Sequence, residues 1–257
     1  MAMREVLDAV AAGDLSPAAA EARLRGYVTG DAGRFDATRQ QRSGVPEAVL
    51  ATGKTPDEIS ALATTSLETT GRAIVTRLDP DHRNAVTSAL ESAVPDATIA
   101  WEERPGLLLA YAPSFEAPDL SASVGVVSAG TADAVPASEA ALIAGEMGAT
   151  VERLDDVGVA SLARVVDRLP ELRRLDVLVV VAGREGALPT VVAGLVDVPV
   201  IGVPVSTGYG HGGEGSAALA GMLQSCTALS VVNVDAGFTA GVQAGLIARQ
   251  LDAARRE

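Results

Sequence analysis

The sequence predicts an α/β protein in two parts, the second built on a parallel sheet. Three observations carry that prediction. Residues 176–241 read DVLVVVAGREGALPTVVAGLVDVPVIGVPVSTGYGHGGEGSAALAGMLQSCTALSVVNVDAGFTAG. Two β-branched runs in it, 177–181 and 198–203, have the unbroken apolar character of strands buried on both faces. Each run passes through a small-residue loop into a helical pattern, the repeating unit of an α/β fold. Upstream, two prolines within 113–121 mark a linker that divides the 257 residues into 1–117 and 118–257.

Taken in order, residues 3–12 and 18–27 are two short amphipathic helices separated by Gly13, with Asp14, Ser16 and Pro17 as N-terminal signals for the second. Residues 34–44 (RFDATRQQRSG) read as a solvated linker, with anion contact by the arginines as the sharper alternative. A short strand at 48–51 precedes Thr52-Gly53-Lys54-Thr55-Pro56. There Thr55 can cap a helix reaching about Thr70, with Pro56 in its first turn. Strands follow at 72–78, 98–102 and 107–112, with a helix at 81–93, completing a small α/β domain. The second part continues with a strand at 123–127, a helix at 137–147, a strand at 150–154 and a helix at 159–169. After the two apolar strands come a helix at 216–224, a strand at 230–234 and a closing helix at 242–254.

Composition bounds the function. Hydrophobic residues make up 48% of the chain but aromatics only 3%, so the core must be built from Ala, Val and Leu. A formal net charge of −13 argues against nucleic acid or an anionic membrane as partner, since both would be repelled. One cysteine leaves no intrachain disulfide and no multi-thiolate metal site, which suits a reducing compartment. The first residues carry charges throughout and lack an apolar signal core, and no run reaches the roughly 18 apolar residues of a membrane span. The expected compartment is the cytoplasm.

Four stretches carry chemistry. Cys226 is either a small buried hydrophobe or a thiol nucleophile. The second reading draws on Glu185 in one strand-end loop and on Asn233 and Asp235 in another, with all these loops expected at one edge of the sheet. Ser128-Ala-Gly130-Thr131-Ala-Asp133 ends a strand at a helix start, offering hydroxyls and N–H groups to a phosphate or ribose, although half of that signal is ordinary capping. Lys54 is the single lysine, at a helix start that could hold an anion; GxxxxGK[ST] spacing is absent, so there is no P-loop. Gly208-Tyr209-Gly210-His211-Gly212-Gly213 matches the letters of GxGxxG but falls late in its domain, which weakens a nicotinamide-dinucleotide dehydrogenase reading.

Together the motifs resemble the LarB family, the pyridinium-3,5-biscarboxylic acid mononucleotide synthases of nickel-pincer cofactor assembly, whose C-terminal domain is PurE-like. The matching pieces are PEAVLATGKTPDEI with upstream arginines, TRLDPDH, VSAGTAD, VAGREGALPTVVAGLVDVPVIGVP, GYG with the following glycines, AALAGMLQSC and VVNVDAGFTAG, in order from about 35 to 250. The purine enzyme, aminoimidazole ribonucleotide carboxylase, is a poorer match: Asp155-Asp156-Val157-Gly158-Val159 stands where its Ser-Ala-His-Arg-Thr-Pro loop should be. Ala236 and Thr239 replace the Asn and Gly usual in the last LarB motif.

The resemblance implies a flavodoxin-like three-layer C-terminal domain and a carboxylase–hydrolase acting on nicotinic acid adenine dinucleotide, with CO2 or bicarbonate as co-substrate. It makes Cys226 the nucleophile that adds to the pyridinium ring and Glu185 the acid–base group. Ser128, Gly130, Thr131 and Asp133 would hold phosphate and ribose, and Lys54 and Arg42 the pyrophosphate. Gly183, Gly208, Tyr209, Gly210, Asn233, Asp235 and Gly237 complete the implied substrate site. AMP is released, magnesium is expected for charge neutralisation, no tightly bound organic cofactor is expected, and a homo-oligomer, octamer or dimer, is implied. The alternatives are a purine-type carboxylase and, from other classes, a non-catalytic nucleotide-binding protein and a nicotinamide-dependent dehydrogenase.

Overall fold

The computed structural model describes residues 3–30, 32–208 and 210–256, and the chain divides into two compact units, Met1–Glu116 and Ala117–Glu257. The first unit begins with α1 (Met3–Ala12) and α2 (Pro17–Arg25). A two-stranded antiparallel hairpin follows, β1 (Val28–Gly30) with β2 (Gly33–Phe35), and then a short helix α3 (Arg39–Ser43). Residues 34–44 are thus part strand and part helix, not the linker their polarity suggested. Their side chains are tied down locally: Arg39 pairs with Glu47 at 2.8 Å, and Gly44, at φ 75°, closes α3 in the left-handed conformation.

The rest of this unit is a four-stranded mixed sheet packed on two helices. Its strands are β3 (Val49–Leu50), β4 (Arg72–Thr76), β5 (Thr98–Glu102) and β6 (Leu107–Tyr111), in the order β3-β4-β6-β5. The helices are α4 (Pro56–Thr70) and α5 (Arg83–Ala93). Thr55 and Glu58 form a reciprocal capping box at the start of α4, with Pro56 in the first turn, as the spacing predicts. Ile59, Ala63 and Leu67 of α4 meet Val86 and Leu90 of α5 and the inward residues Ala73, Val75, Leu108 and Ala110 of the sheet.

The second unit is doubly wound. Its strands are β7 (Ser123–Ser128), β8 (Thr150–Leu154), β9 (Val177–Ala182), β10 (Val200–Pro204) and β11 (Ser230–Val231). All pairings are parallel, in the order β11-β10-β9-β7-β8. That is the flavodoxin-like arrangement with helices on both faces. The helices are α6 (Ala134–Glu146), α7 (Leu162–Leu172), α8 (Ala187–Ala193), α9 (Ser216–Leu223) and α10 (Gly237–Arg256). The alternation of β9 shows why its run is apolar throughout. Val177, Val179 and Val181 face α6 and α10, while Leu178, Val180 and Ala182 face the layer of α7, α8 and α9. Burying each such side chain contributes roughly 1.5–3 kcal/mol.

Two boundaries differ for physical reasons. The helix expected at 159–169 runs over Leu162–Leu172, carrying Pro170 inside its last turn, and the closing helix starts at Gly237, five residues earlier than expected. The early start depends on close packing. A Cβ at Gly237 would fall 2.1 Å from the carbonyl oxygen of Pro136, and one at Gly241 2.6 Å from that of Ala140. The small-residue face of α10 is therefore spent on α6 of the same chain. Among the described residues no helix is long and apolar enough to cross a membrane.

Candidate active site

Parallel strands bring their carboxyl ends to one edge, and between β7 and β9 the chain leaves the sheet toward opposite faces. A crevice opens at such a switch point. Here it measures about 650 Å³ and is lined by residues 129–133 after β7, 158–160 after β8, 182–185 with 187 and 188 after β9, and 207 and 208 after β10. Of the residues singled out from the sequence, Gly130, Thr131, Asp133, Gly183, Glu185 and Gly208 line it.

Asp133 forms the polar floor. It is 4% exposed, and its Oδ2 accepts the N–H of Gly130 at 2.8 Å. Burial pushes its carboxyl above the usual carboxylate range, opposed by N–H groups of Gly130, Gly183 and Ala129 that favour the ionised form. Gly183 lies between this carboxylate and Thr207: a Cβ there would sit 3.6 Å from Asp133 Oδ1 and 3.5 Å from Thr207 Oγ1.

The β9 turn supplies the rim. Arg184 holds φ 52°, a left-handed backbone that costs a non-glycine residue strain, and it is the one cation among the lining residues. Glu185 beside it is exposed. This turn is clamped from outside by α9. A Cβ at Gly186 would meet the carbonyl oxygen of Ala218 at 2.5 Å, and one at Gly221 the carbonyl oxygen of Glu185 at 2.2 Å. Arg184 and Thr207 did not emerge from sequence reasoning. The signal for Arg184 was its place between Gly183 and Glu185; Thr207 has only its position at the end of β10.

The remaining candidates stand elsewhere. Ser128 is buried and donates its hydroxyl to Asp155 Oδ1 at 2.7 Å, a carboxylate that also receives Arg153 at 3.1 Å. Asp235 accepts the N–H of Ser206 at 2.9 Å while its own N–H reaches the Pro204 carbonyl, so it fixes the start of the turn that carries Thr207 and Gly208. Asn233 turns its Oδ1 back to the N–H of Val234 at 2.8 Å. Gly237 serves the α6–α10 contact, Gly210 is exposed outside the lining, and Tyr209 lies outside the described residues. In the first unit, Lys54 donates to the Leu50 carbonyl at 2.6 Å. Arg42 forks onto Asp36 at 3.2 and 2.5 Å, holding that carboxyl below its usual range.

Cys226 corrects the sequence reading. It was expected at the edge shared by Glu185 and Asp235; instead it is exposed and does not line the crevice. The reason is direction. Helix α9 runs back along the sheet from the carboxyl edge, so a residue just past its end is delivered toward the start of β11. Its neighbour Thr227 accordingly lies near Gly194, at the far end of α8, where a Cβ would meet Thr227 Cγ2 at 3.6 Å.

Magnesium was expected with the substrate. Among the described residues no group of three or more His, Cys, Asp or Glu side chains could hold a metal ion. The crevice offers only Asp133, already engaged by backbone N–H groups, and Glu185 as carboxylates. That donor set does not fit a resident metal held by the protein.

Comparison with known proteins agrees with this architecture. Residues 123–257 match the family model described as AIR carboxylase, and residues 27–101 match that of the LarB/PurE-like N-terminal domain. The chain is 38% identical over 219 residues to an uncharacterised protein of Methanocaldococcus jannaschii, covering 84% of each.

Proposed function

The chain belongs to the LarB family, whose PurE-like domains are of carboxylase type, and from that premise we propose that it carboxylates the pyridinium C5 of nicotinic acid adenine dinucleotide and hydrolyses the phosphoanhydride. The observation that supports this reading is the crevice at the β7–β9 switch point, with hydroxyl, amide and carboxylate groups around a space large enough for a nucleotide. Thr131 and the backbone at Gly208 would contact phosphate and ribose. Asp133 would receive a ribose hydroxyl, and Glu185 would move the proton.

A pyridinium ring is too electron-poor to attack CO2. A thiolate that adds to the carbon next to C5 forms an S–C bond and neutralises the ring nitrogen, leaving an enamine. The enamine pair at C5 forms a C–C bond to CO2, and one C=O pair becomes the new carboxylate. Glu185 then takes the C5 proton. The released C–H pair restores the aromatic ring as the S–C bond breaks and the thiolate departs. Water next attacks one phosphorus of the pyrophosphate, and AMP leaves with the P–O pair. Lys54 and Arg42 are assigned to that pyrophosphate, whose charge magnesium arriving with the substrate would help neutralise.

Cys226 is the sulfur this chemistry requires, and its exposure outside its own crevice supports a site completed by a second copy. The reading therefore includes a homo-oligomer. The deciding experiment is one incubation of the protein with nicotinic acid adenine dinucleotide and labelled bicarbonate, followed by mass spectrometry. AMP together with a mononucleotide carrying one labelled carboxylate is the expected result. AMP without added carboxylate would leave a hydrolase, and an intact dinucleotide would leave a binding protein.

A further inference from the structure

The first unit contains an arginine-lined hollow that composition alone would not lead one to expect. In a chain of net charge −13, residues 22–45 carry five arginines against two aspartates. Three of them, Arg25, Arg34 and Arg42, line an open hollow of about 280 Å³ together with Gly26, Tyr27 and Asp36. Among the described residues that line it, Asp36 is the one carboxylate.

The frame around these cations is fixed. Thr38 donates its hydroxyl to the Gly26 carbonyl at 3.1 Å and accepts Arg42 Nη1 at 3.3 Å, so the turn after α2 is tied to the turn before α3. Asp36 holds Arg42 by two hydrogen bonds, and Arg25 is paired with Glu21 at 3.0 Å one turn back on α2. Arg34 differs from both. Its guanidinium stacks over the Tyr27 ring at 5.1 Å, and among the described residues it has no carboxylate partner. Stacking fixes the plane of the group and leaves the edge N–H donors to a ligand, the geometry that guanidinium offers to phosphate oxygens.

We propose that this hollow binds a pyrophosphate group, with Arg34 as principal donor, Arg25 and Arg42 as flanking donors, and Tyr27 as the platform that orients Arg34. The proposal extends the assignment of Arg42 in the reaction above and adds Arg25, Arg34 and Tyr27, which that reading did not use. A charge of −2 or more is needed to outweigh Asp36, which favours a pyrophosphate over a carboxylate or a lone monoanion.

Calorimetric titration of the full-length protein with inorganic pyrophosphate, at low and at physiological salt, tests it. The expected result is a site that weakens as salt rises. Arg34→Gln should weaken it by about ten-fold or more, the loss of one charge-assisted contact, and Arg25→Gln should weaken it in the same direction. Arg34→Lys, which keeps the charge, should bind more tightly than Arg34→Gln. Pyrophosphate binding that is absent from the wild type, unchanged in Arg34→Gln, or no better in Arg34→Lys than in Arg34→Gln overturns the proposal. Turnover of the dinucleotide is measured alongside. Arg34-dependent binding without carboxylation would remove the reaction and leave the hollow; carboxylation without Arg34-dependent binding would remove the hollow alone.

Discussion

The main-chain carbonyl of Glu185 occupies the space a side chain at Gly221 would need, since an ideal Cβ there falls 2.2 Å from the oxygen. Gly186 stands in the same relation to Ala218, at 2.5 Å. Helix α9 is thus seated directly on the turn that carries the proposed proton-transfer group. This backbone-on-backbone contact helps set the shape of the crevice rim.

Gly221→Ala should push α9 away from the β9 turn. Overpacking of this kind costs about 1–3 kcal/mol, read as a lowered urea midpoint with an unchanged slope. Carboxylation should fall along with it, because Glu185 moves with its own carbonyl. A variant with wild-type midpoint and wild-type turnover would show that α9 yields freely and does not set the rim.

The pair Arg255–Asp176 anchors the end of α10 to the start of β9. Asp176 also accepts the N–H and hydroxyl of Ser123 at 2.8 and 3.0 Å. The Arg255 guanidinium, more than any other group, holds the Asp176 carboxyl below the usual range. A depressed carboxylate stabilises the fold above its unfolded pKa, about 3.9, and that contribution is lost as pH falls through the folded value. Arg255→Gln should therefore lower the urea midpoint at pH 7, and the difference from wild type should shrink as pH falls below about 4. A difference independent of pH would assign Arg255 a packing role.

Asp133 has the opposite sign. Its carboxyl is raised by burial, so its contribution is fully present below the unfolded value and is lost as pH rises through the folded one. The stability of wild type relative to Asp133→Asn should accordingly decline as pH rises above about 4, measured by urea unfolding across a pH series. A rising trend would mean that the amides of Gly130, Gly183 and Ala129 outweigh desolvation.

Much of this was legible in the sequence because it was written in side-chain character. The run at Val177–Ala182 had to be a strand buried on both faces, and Thr55-Pro56 had to start a helix. The hairpin Val28–Phe35 and the helix at Arg39–Ser43 escaped because short, polar elements held by arginine–carboxylate pairs leave no periodic apolar signal. Asp235 and Ser128 read as ligands because a strand-end polar residue looks the same whether it faces a substrate or a neighbouring N–H or carboxylate. Cys226 was misplaced for a geometric reason. Proximity in sequence to the glycine loop does not become proximity in space, because the eight residues of α9 carry the chain back along the sheet.

That displacement makes the thiol the sharpest test of the proposed reaction. Within one chain Glu185 borders the crevice and Cys226 lies outside it, so a working site would combine Glu185 of one copy with Cys226 of another. Cys226→Ala and Glu185→Gln should each abolish carboxylation when assayed alone. Mixed under conditions that exchange subunits, the two inactive proteins should recover part of the wild-type rate, since some mixed interfaces pair an intact thiol with an intact carboxylate. Mass spectrometry of the quenched mixture should place any ring adduct on the chain that retains Cys226, which is the Glu185→Gln chain. Exchange without recovery, with both single variants folded and oligomeric, would mean that sulfur and carboxylate act from the same chain and that the 224–229 segment must move to join them.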